Sequence, residues 1–233
     1  MTSARRQEDV FASSGGFEAF IAADVNGPVP ADSLPYRLLK RMIDIAGALA
    51  GLLLILPLLP FLILMIKLDS PGPVFFRQKR VGYRGRTFHC YKFRSMELDA
   101  EARKAELQDL NEATGAAFKI QDDPRITGVG RFIRSSSLDE FPQLYNVLRG
   151  DMSIVGPRPQ IPSEVADYTP AQARRLLVKP GLTCLWQVSG RSQLDFTEWM
   201  ALDLAYVRQQ SLRFDLWVLS RTIPAVIERK GAY

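Results

Sequence analysis

The sequence predicts an α-rich α/β fold. An N-terminal re-entrant membrane helix broken at a proline leads into a compact cytoplasmic domain with a small β-hairpin and amphipathic interfacial helices. Three features carry this reading. Ile45 to Ile66 is a run of 22 residues without a charge. Two stretches on either side of a YRGR turn read as hairpin strands, although their alternation is imperfect. Three segments in the C-terminal half repeat apolar residues at helical spacing.

The apolar run, IAGALAGLLLILPLLPFLILMI, covers about 33 Å as a straight helix, roughly the hydrocarbon thickness of a bilayer. It starts too far from Met1 and is too long for a signal peptide. A buried soluble helix rarely stays apolar on every face for that length. Pro57 and Pro60 each remove a backbone donor inside it, so a kink is expected near Leu56–Pro57. Arg37, Lys40 and Arg41 precede the run, and Lys67, Arg77, Lys79 and Arg80 follow it. Basic flanks face the cytoplasm, and here both flanks are basic. A broken helix that enters and leaves by one face satisfies both observations; a kinked single span is the alternative. Asp44 is expected at headgroup depth, paired with Lys40 or Arg41.

Around this segment the chain divides into a flexible tail over residues 1–33, the re-entrant helix over 34–67 and a domain over 68–233. Nothing in the tail encodes a multi-span region. Asp69-Ser70-Pro71-Gly72-Pro73 is a turn. PVFFRQKRVG and TFHCYKFRSM form the hairpin, and Glu97–Asn111 reads as a charged helix with a solvated face. DDPRITGVGRFIRSSS reads as a loop; its Gly128-x-Gly130 lacks the third glycine and the strand-to-helix setting of a dinucleotide site. SLDEFPQLYNVLRG reads as a helix that starts near Ser137, because Pro142 must lie in its first turn. DMSIVGPRPQIP is a proline-punctuated loop. FTEWMALDLAYVRQQ and SLRFDLWVLSRTIPAVI read as helices that lie in the headgroup plane or pack on the core.

Composition excludes several chemistries. Net charge is +5, which suits anionic lipid, nucleic acid or phosphorylated substrates and chooses none of them. A nucleic-acid binder leaves the apolar run unexplained. Cys90 and Cys184 are the two cysteines, without metal-ligand spacing, and His89 is the single histidine. No zinc site and no Ser-His triad can be built from these.

The chemistry concentrates at Asp139-Glu140. Ser137-Leu138-Asp139-Glu140 matches the S-x-x-E capping box, which on local sequence alone is the simpler account of both acids. Arg131, Arg134, Arg149 and Arg158 bracket the pair, however, and that is more cation than a cap requires. Guanidinium forks match phosphate oxygens. A carboxylate held ionised among them can attack phosphorus while its neighbour serves as base or metal ligand. Magnesium is the natural ion, since it takes carboxylate and phosphate oxygens together.

With these residues in view, the chain resembles the bacterial sugar transferase family, the small monotopic phosphoglycosyl transferases that start glycan assembly on polyprenol phosphate. The match runs from about Leu39 to Ile227. It includes KRMIDIAGALAGLLLILPLLP, KLDSPGPVFFRQKRVG, YKFRSM, DDPRITGVGRFIRSSSLDEFPQLYNVLRGDMSIVGPRP and KPGLTCLWQVSGR. Cys184 stands where glycine is usual, and Ser95 where threonine is common.

The resemblance implies a re-entrant helix broken at Pro57 and a covalent phosphosugar intermediate on Asp139, with Glu140 binding magnesium or moving protons. Asp139 and Glu140 are thus the implied catalytic and metal-binding residues. Arg134, Arg158 and Lys92 are the implied phosphate-binding residues. It further implies a UDP-sugar donor, a polyprenyl (undecaprenyl) phosphate acceptor, membrane lipid as a partner, and UMP as the leaving group. The location would be the cytoplasmic face of a bacterial inner membrane, with homo-oligomerisation left open. A glycosyltransferase that releases UDP, or a non-enzymatic scaffold of an export complex, is the rival. The sugar is not identified.

Overall fold

The computed structural model describes residues 33–112, 118, 120, 122–189 and 194–228. The expected tail over residues 1–33 therefore lies, except for Ser33, outside the described residues, as do Gly190 and Arg191 of the KPGLTCLWQVSGR segment.

Helix α1 (Leu34–Ile55) opens with Pro35 in its first turn, where a missing N–H is tolerated. Leu56–Leu58, with Pro57 at its centre, forms a single 3-10 turn, and α2 (Leu59–Asp69) continues with Pro60 in its own first turn. The two prolines thus interrupt the α-helical ladder where the sequence places them. Leu34–Asp69 together is long and apolar enough to cross a membrane by length and composition.

Both arms pack on one globular domain. In α1, Tyr36 Oη and Lys40 Nζ each donate to Asp215 Oδ2 at 2.9 Å, and the Arg41 guanidinium donates to the carbonyls of Val147 and Leu148 at 2.6 and 2.7 Å. Asp44 does not pair with Lys40 or Arg41 at headgroup depth. It is buried and accepts from Ser153 Oγ at 2.8 Å and from the Ile154 N–H at 2.9 Å. This face of α1 turns inward, where a backbone donor needs an acceptor. Further along, Ala48 packs with Leu144, Val147 and Met152. On either side of the 3-10 turn, Ile55, Leu62 and Ile66 pack with Phe93 and Ile133. The opposite face, including Met42, Leu49, Leu53, Leu54, Phe61 and Leu64, is apolar and exposed.

Strands β1 (Phe75–Val81) and β2 (Thr87–Phe93) form the expected antiparallel hairpin, with Phe75 opposite Phe93 and Gln78 opposite Cys90. Three other expectations are corrected. Glu97–Asn111 is not a helix but turns with 3-10 pieces at Ala102–Lys104 and Gln108–Leu110. Leu98 and Leu110 stay exposed there, so no apolar face offsets helix nucleation. The expected loop before Ser136 contains α3 (Gly128–Ser135), which its glycines conceal. Thr127 Oγ1 caps it by accepting from the Gly130 N–H at 2.9 Å, and Asp69 Oδ2 accepts from the Val129 N–H at 2.8 Å. A side chain at Gly130 would place a Cβ 2.0 Å from the Ser95 carbonyl oxygen, so the glycine is a packing requirement.

The third correction concerns SLDEFPQLYNVLRG. Its helix does not start near Ser137. A 3-10 turn spans Leu138–Glu140, and α4 (Gln143–Arg149) begins only after Pro142 at its N-cap. The proline-rich loop that follows contains β3 (Ser153–Val155), and short helices α5 (Pro162–Val165) and α6 (Pro170–Ala173) follow. β4 (Gly181–Thr183) pairs with β3 in parallel. After α7 (Leu185–Ser189), α8 (Phe196–Gln209) and α9 (Leu212–Glu228) form as expected. They pack on the core through Tyr206, Val207 and Val218, while Leu216, Trp217 and Ile223 remain exposed on α9.

Candidate active site

The centre of the site is set by a backbone reversal. α3 ends at Ser135, and Ser137 then adopts a left-handed conformation (φ 56°), rare for a residue with a side chain. The reversal turns the chain so that Leu138 packs toward the cluster containing Ile55, Leu62 and Ile66, and Asp139 is buried beside it. The capping box does not form: the Ser137 hydroxyl caps nothing, and the Glu140 carboxylate points elsewhere.

It points to two cations. Lys92, on β2, donates to Glu140 Oε1 at 2.8 Å, and Arg158 Nη2 donates to the same oxygen at 2.6 Å. Arg158 Nη1 lies 3.4 Å from Oε2. The Lys92 ammonium stands 3.6 Å from Asp139 Oδ2, so one lysine serves both acids. Arg134, in the last turn of α3, lines the same cavity of about 500 Å³, together with Lys92, Ser137, Asp139, Glu140 and Arg158.

Five of the residues expected from the sequence thus meet in one place: Lys92, Arg134, Asp139, Glu140 and Arg158. Arg131 and Arg149 do not join them. Arg131 is exposed on the outer face of α3, and Arg149 pairs with Asp151 at 3.4 Å and lies over the Tyr145 ring.

The two acids differ in their electrostatics. Burial pushes the Asp139 carboxyl above its ordinary range; Lys92, Arg134 and Arg158 oppose this, and the Glu140 charge adds to it. Burial acts the same way on Glu140, but the Arg158 and Lys92 charges and their hydrogen bonds outweigh it and hold Glu140 well below the usual carboxylate range. Glu140 in turn raises the Arg158 guanidinium. The sequence suggests that the arginines keep Asp139 ionised; the geometry instead gives the closest cations to Glu140. The two neighbouring acids are thus shifted in opposite directions, Glu140 down and Asp139 up.

A second layer holds Arg158. Its carbonyl accepts from Arg175 Nη2 at 2.7 Å, and Arg175 is itself buried against Asp203 and the Tyr168 hydroxyl. Pro157 and Pro159 stiffen the loop. Its base is fixed where β3 and β4 approach so closely that a Cβ on Gly156 would lie 2.4 Å from the Lys179 carbonyl oxygen.

Sequence reasoning passes over Arg80, Gln78, Arg175, Asp203 and Ser137 as site residues. Strand parity is the signal that locates the first two. The register puts Gln78 opposite Cys90 and Arg80 opposite Phe88, so both share the face of Lys92, and both line the cavity. Arg175 and Asp203 meet across 28 residues, which no local pattern reveals.

Magnesium suits this donor set when a diphosphate completes it. Two adjacent carboxylates fit an ion that takes one or two protein carboxylates plus substrate phosphates. Asp139 faces the cavity, and Glu140 Oε2 is held less closely than Oε1. Among the described residues no larger group of metal-ligating side chains gathers.

Residues 35–229 match the family model described as bacterial sugar transferase. The chain is 48% identical over 194 residues to a galactosyl transferase, CpsE, of Streptococcus agalactiae, an alignment covering 83% of this chain and 43% of that protein. It is 43% identical over 201 residues to an undecaprenyl-phosphate galactose phosphotransferase of Salmonella typhimurium, covering 84% and 42%. It is 40% identical over 215 residues to a UDP-glucose:undecaprenyl-phosphate glucose-1-phosphate transferase of Caulobacter vibrioides, covering 89% and 76%. The chain therefore spans less than half the length of the first two relatives and about three quarters of the third.

Proposed function

Because the chain belongs to the bacterial sugar transferase family, we propose that it transfers a sugar 1-phosphate from a UDP-sugar to polyprenyl phosphate, with Asp139 as the nucleophile. One observation carries this reading: a buried carboxylate, Asp139, faces a cavity of about 500 Å³ beside Lys92, Arg134 and Arg158, while its neighbour Glu140 is already ion-paired. Similarity to transferases of galactose and of glucose phosphate supports the reaction class and leaves the sugar open.

In the first step an Asp139 carboxylate oxygen bonds to the sugar-proximal phosphorus, and the bond from that phosphorus to the bridging oxygen breaks. UMP leaves with the bridging oxygen and its electron pair. In the second step a phosphate oxygen of the polyprenyl acceptor attacks the phosphosugar–aspartate, the bond to Asp139 breaks, and the free carboxylate returns. Neither step requires a base to activate Asp139 once it is ionised. The work left to the site is stabilising charge on the transferring phosphoryl group, to which Arg134, Arg158 and Lys92 contribute. Magnesium, held by Asp139 and Glu140 together with donor phosphates, would supply further neutralisation of the diphosphate.

The reading includes a place for the reaction. The start of α1 contacts the domain at Asp215, Val147, Leu148 and Ile154, and α2 contacts it at Phe93 and Ile133. A helix whose two ends grip one domain favours entry and exit by the same membrane face, which basic flanks make the cytoplasmic one. Leu138 packs against that helix, which holds Asp139 close to the headgroup layer where the acceptor phosphate lies.

Identifying the nucleotide released from UDP-sugar and polyprenyl phosphate tests the reaction class. UMP is expected; UDP would assign the chain to sugar transfer without phosphate.

A further inference from the structure

Arg80 is a cavity-lining guanidinium that no part of the reaction described so far uses. It lies near the end of β1, on the same face of the hairpin as Lys92. Its Nη1 donates to the Pro159 carbonyl at 2.9 Å, one residue beyond Arg158, and its Nη2 donates to the Gln78 side chain. Among the described residues it forms no salt bridge, although it is half-buried.

The environment is poor for a cation without a partner. Burial first, and then the Arg158 guanidinium, push Arg80 below its usual value, while Glu164 and Glu140 oppose them more weakly. The strongest charge effect on Arg80 therefore comes from another cation. Two neighbouring guanidinium groups on one cavity wall, with a single carboxylate paired to one of them, leave a positive site that an anion would relieve.

The donor supplies an anion of the right form. It carries two linked phosphates, and the chemistry places the sugar-proximal one at Asp139. The charges acting most strongly on Asp139 are those of Lys92, Glu140, Arg134 and Arg158. Arg80 instead neighbours Arg158, whose charge acts on it more than any other, and holds the same loop through the Pro159 carbonyl.

We propose that Arg80 binds the nucleoside-side phosphate of the donor, the one that departs in UMP. This rests on the phosphosugar-transfer reading above. Gln78 fixes the guanidinium plane, and the Pro159 carbonyl ties it to the loop carrying Arg158, so the two forks present adjacent donors to adjacent phosphates. In the transfer step the negative charge that builds on the bridging oxygen would fall between Arg158 and Arg80. Arg80 thus stabilises the leaving group, whereas Arg134 and Lys92 address the transferring phosphoryl.

UMP and uridine, assayed as competitive inhibitors of the full-length protein in lipid nanodiscs, test this directly. Arg80→Gln should weaken UMP by about 10- to 100-fold, the scale of a lost charge-assisted hydrogen bond, and leave uridine within about twofold. UMP inhibition within twofold of wild type, or equal losses for UMP and uridine, would overturn the proposal; the second result would make Arg80 a brace for the Pro159 loop. If Arg80→Gln does not fold, Arg80→Lys is scored the same way: a several-fold loss confined to UMP supports the assignment, and parallel behaviour of the two inhibitors overturns it. The nucleotide released by the wild type is read separately. UDP there would refute phosphosugar transfer itself, whereas UMP with an unaffected Arg80→Gln would refute only the role of Arg80.

Discussion

Asp139 and Glu140 are adjacent in the chain, yet Lys92 stands 2.8 Å from Glu140 and 3.6 Å from Asp139. With Arg158 also at 2.6 Å, Glu140 takes the closest charge compensation, and buried Asp139 is left with the longer ion pair to Lys92. On the function proposed above, Glu140 is the structural and electrostatic acid and Asp139 the nucleophile. Glu140→Gln should therefore lower stability by about 3 kcal/mol, because Lys92 and Arg158 lose their shared counter-charge in a largely buried place. Chemical denaturation at neutral pH measures this. A well-folded Glu140→Gln protein with wild-type stability would contradict the assignment.

The same division sets the pH dependence. Asp139 must be ionised to attack, and its carboxyl lies above the ordinary 3.8, so the acid limb of kcat/KM should lie at higher pH than for an ordinary aspartate. Activity rises with pH through that limb. Glu140 acts in the opposite sense for folding. Its folded value is depressed below the ordinary 4.5, so its stabilising contribution is fully present above about 4.5 and is lost as pH falls toward the depressed value. Activity should thus decline on acidification before the fold does. Coincident loss of activity and structure, followed by circular dichroism, would argue against a raised Asp139.

Ser137 carries a left-handed backbone two residues before Asp139. Ser137→Gly, which adopts that conformation freely, should keep stability within about 1 kcal/mol and retain activity. Ser137→Val should lose about 2 kcal/mol or relax the backbone and displace Asp139, with a fall in kcat. Thermal unfolding and steady-state kinetics on the two variants separate these effects. Equal behaviour of glycine and valine would remove the reversal from the account.

Much of the site is legible in the sequence, and the reasons for the remainder are physical. An acid pair among arginines marks Asp139, Glu140, Arg134 and Arg158 without any fold. The S-x-x-E pattern misleads because a cap also needs extended backbone at Ser137, and the left-handed turn denies it. α3 is hidden by Gly128 and Gly130, of which Gly130 is demanded by contact with Ser95, a tertiary fact. Asp44 reads as a headgroup residue because its true partners, Ser153 and Ile154, lie more than a hundred residues away. Arg80 reads as one of several hairpin cations until the register separates it from exposed Arg77 and Lys79.

The proposed re-entrant topology puts both ends of the apolar helix on one side of the membrane. Single cysteines at Ser33 and at Lys79, both exposed, in a variant with Cys90 and Cys184 replaced, should both resist a membrane-impermeant thiol reagent in intact cells and both react after permeabilisation. Replacing Pro57 and Pro60 with leucine restores an unbroken apolar helix and should shift one site to reactive. Labelling of one site in the parent protein would establish a span instead.

The central claim is that Asp139 becomes covalently linked to the phosphosugar. Its most direct test is mass spectrometry of the protein mixed with UDP-sugar and magnesium, without lipid acceptor, and quenched. A mass increase equal to one sugar phosphate, mapped to Asp139, is expected, with about one UMP released per enzyme, and no adduct in Asp139→Asn. An unmodified Asp139 in protein that turns over normally once polyprenyl phosphate is added, or sustained turnover by a folded Asp139→Asn protein, would contradict it.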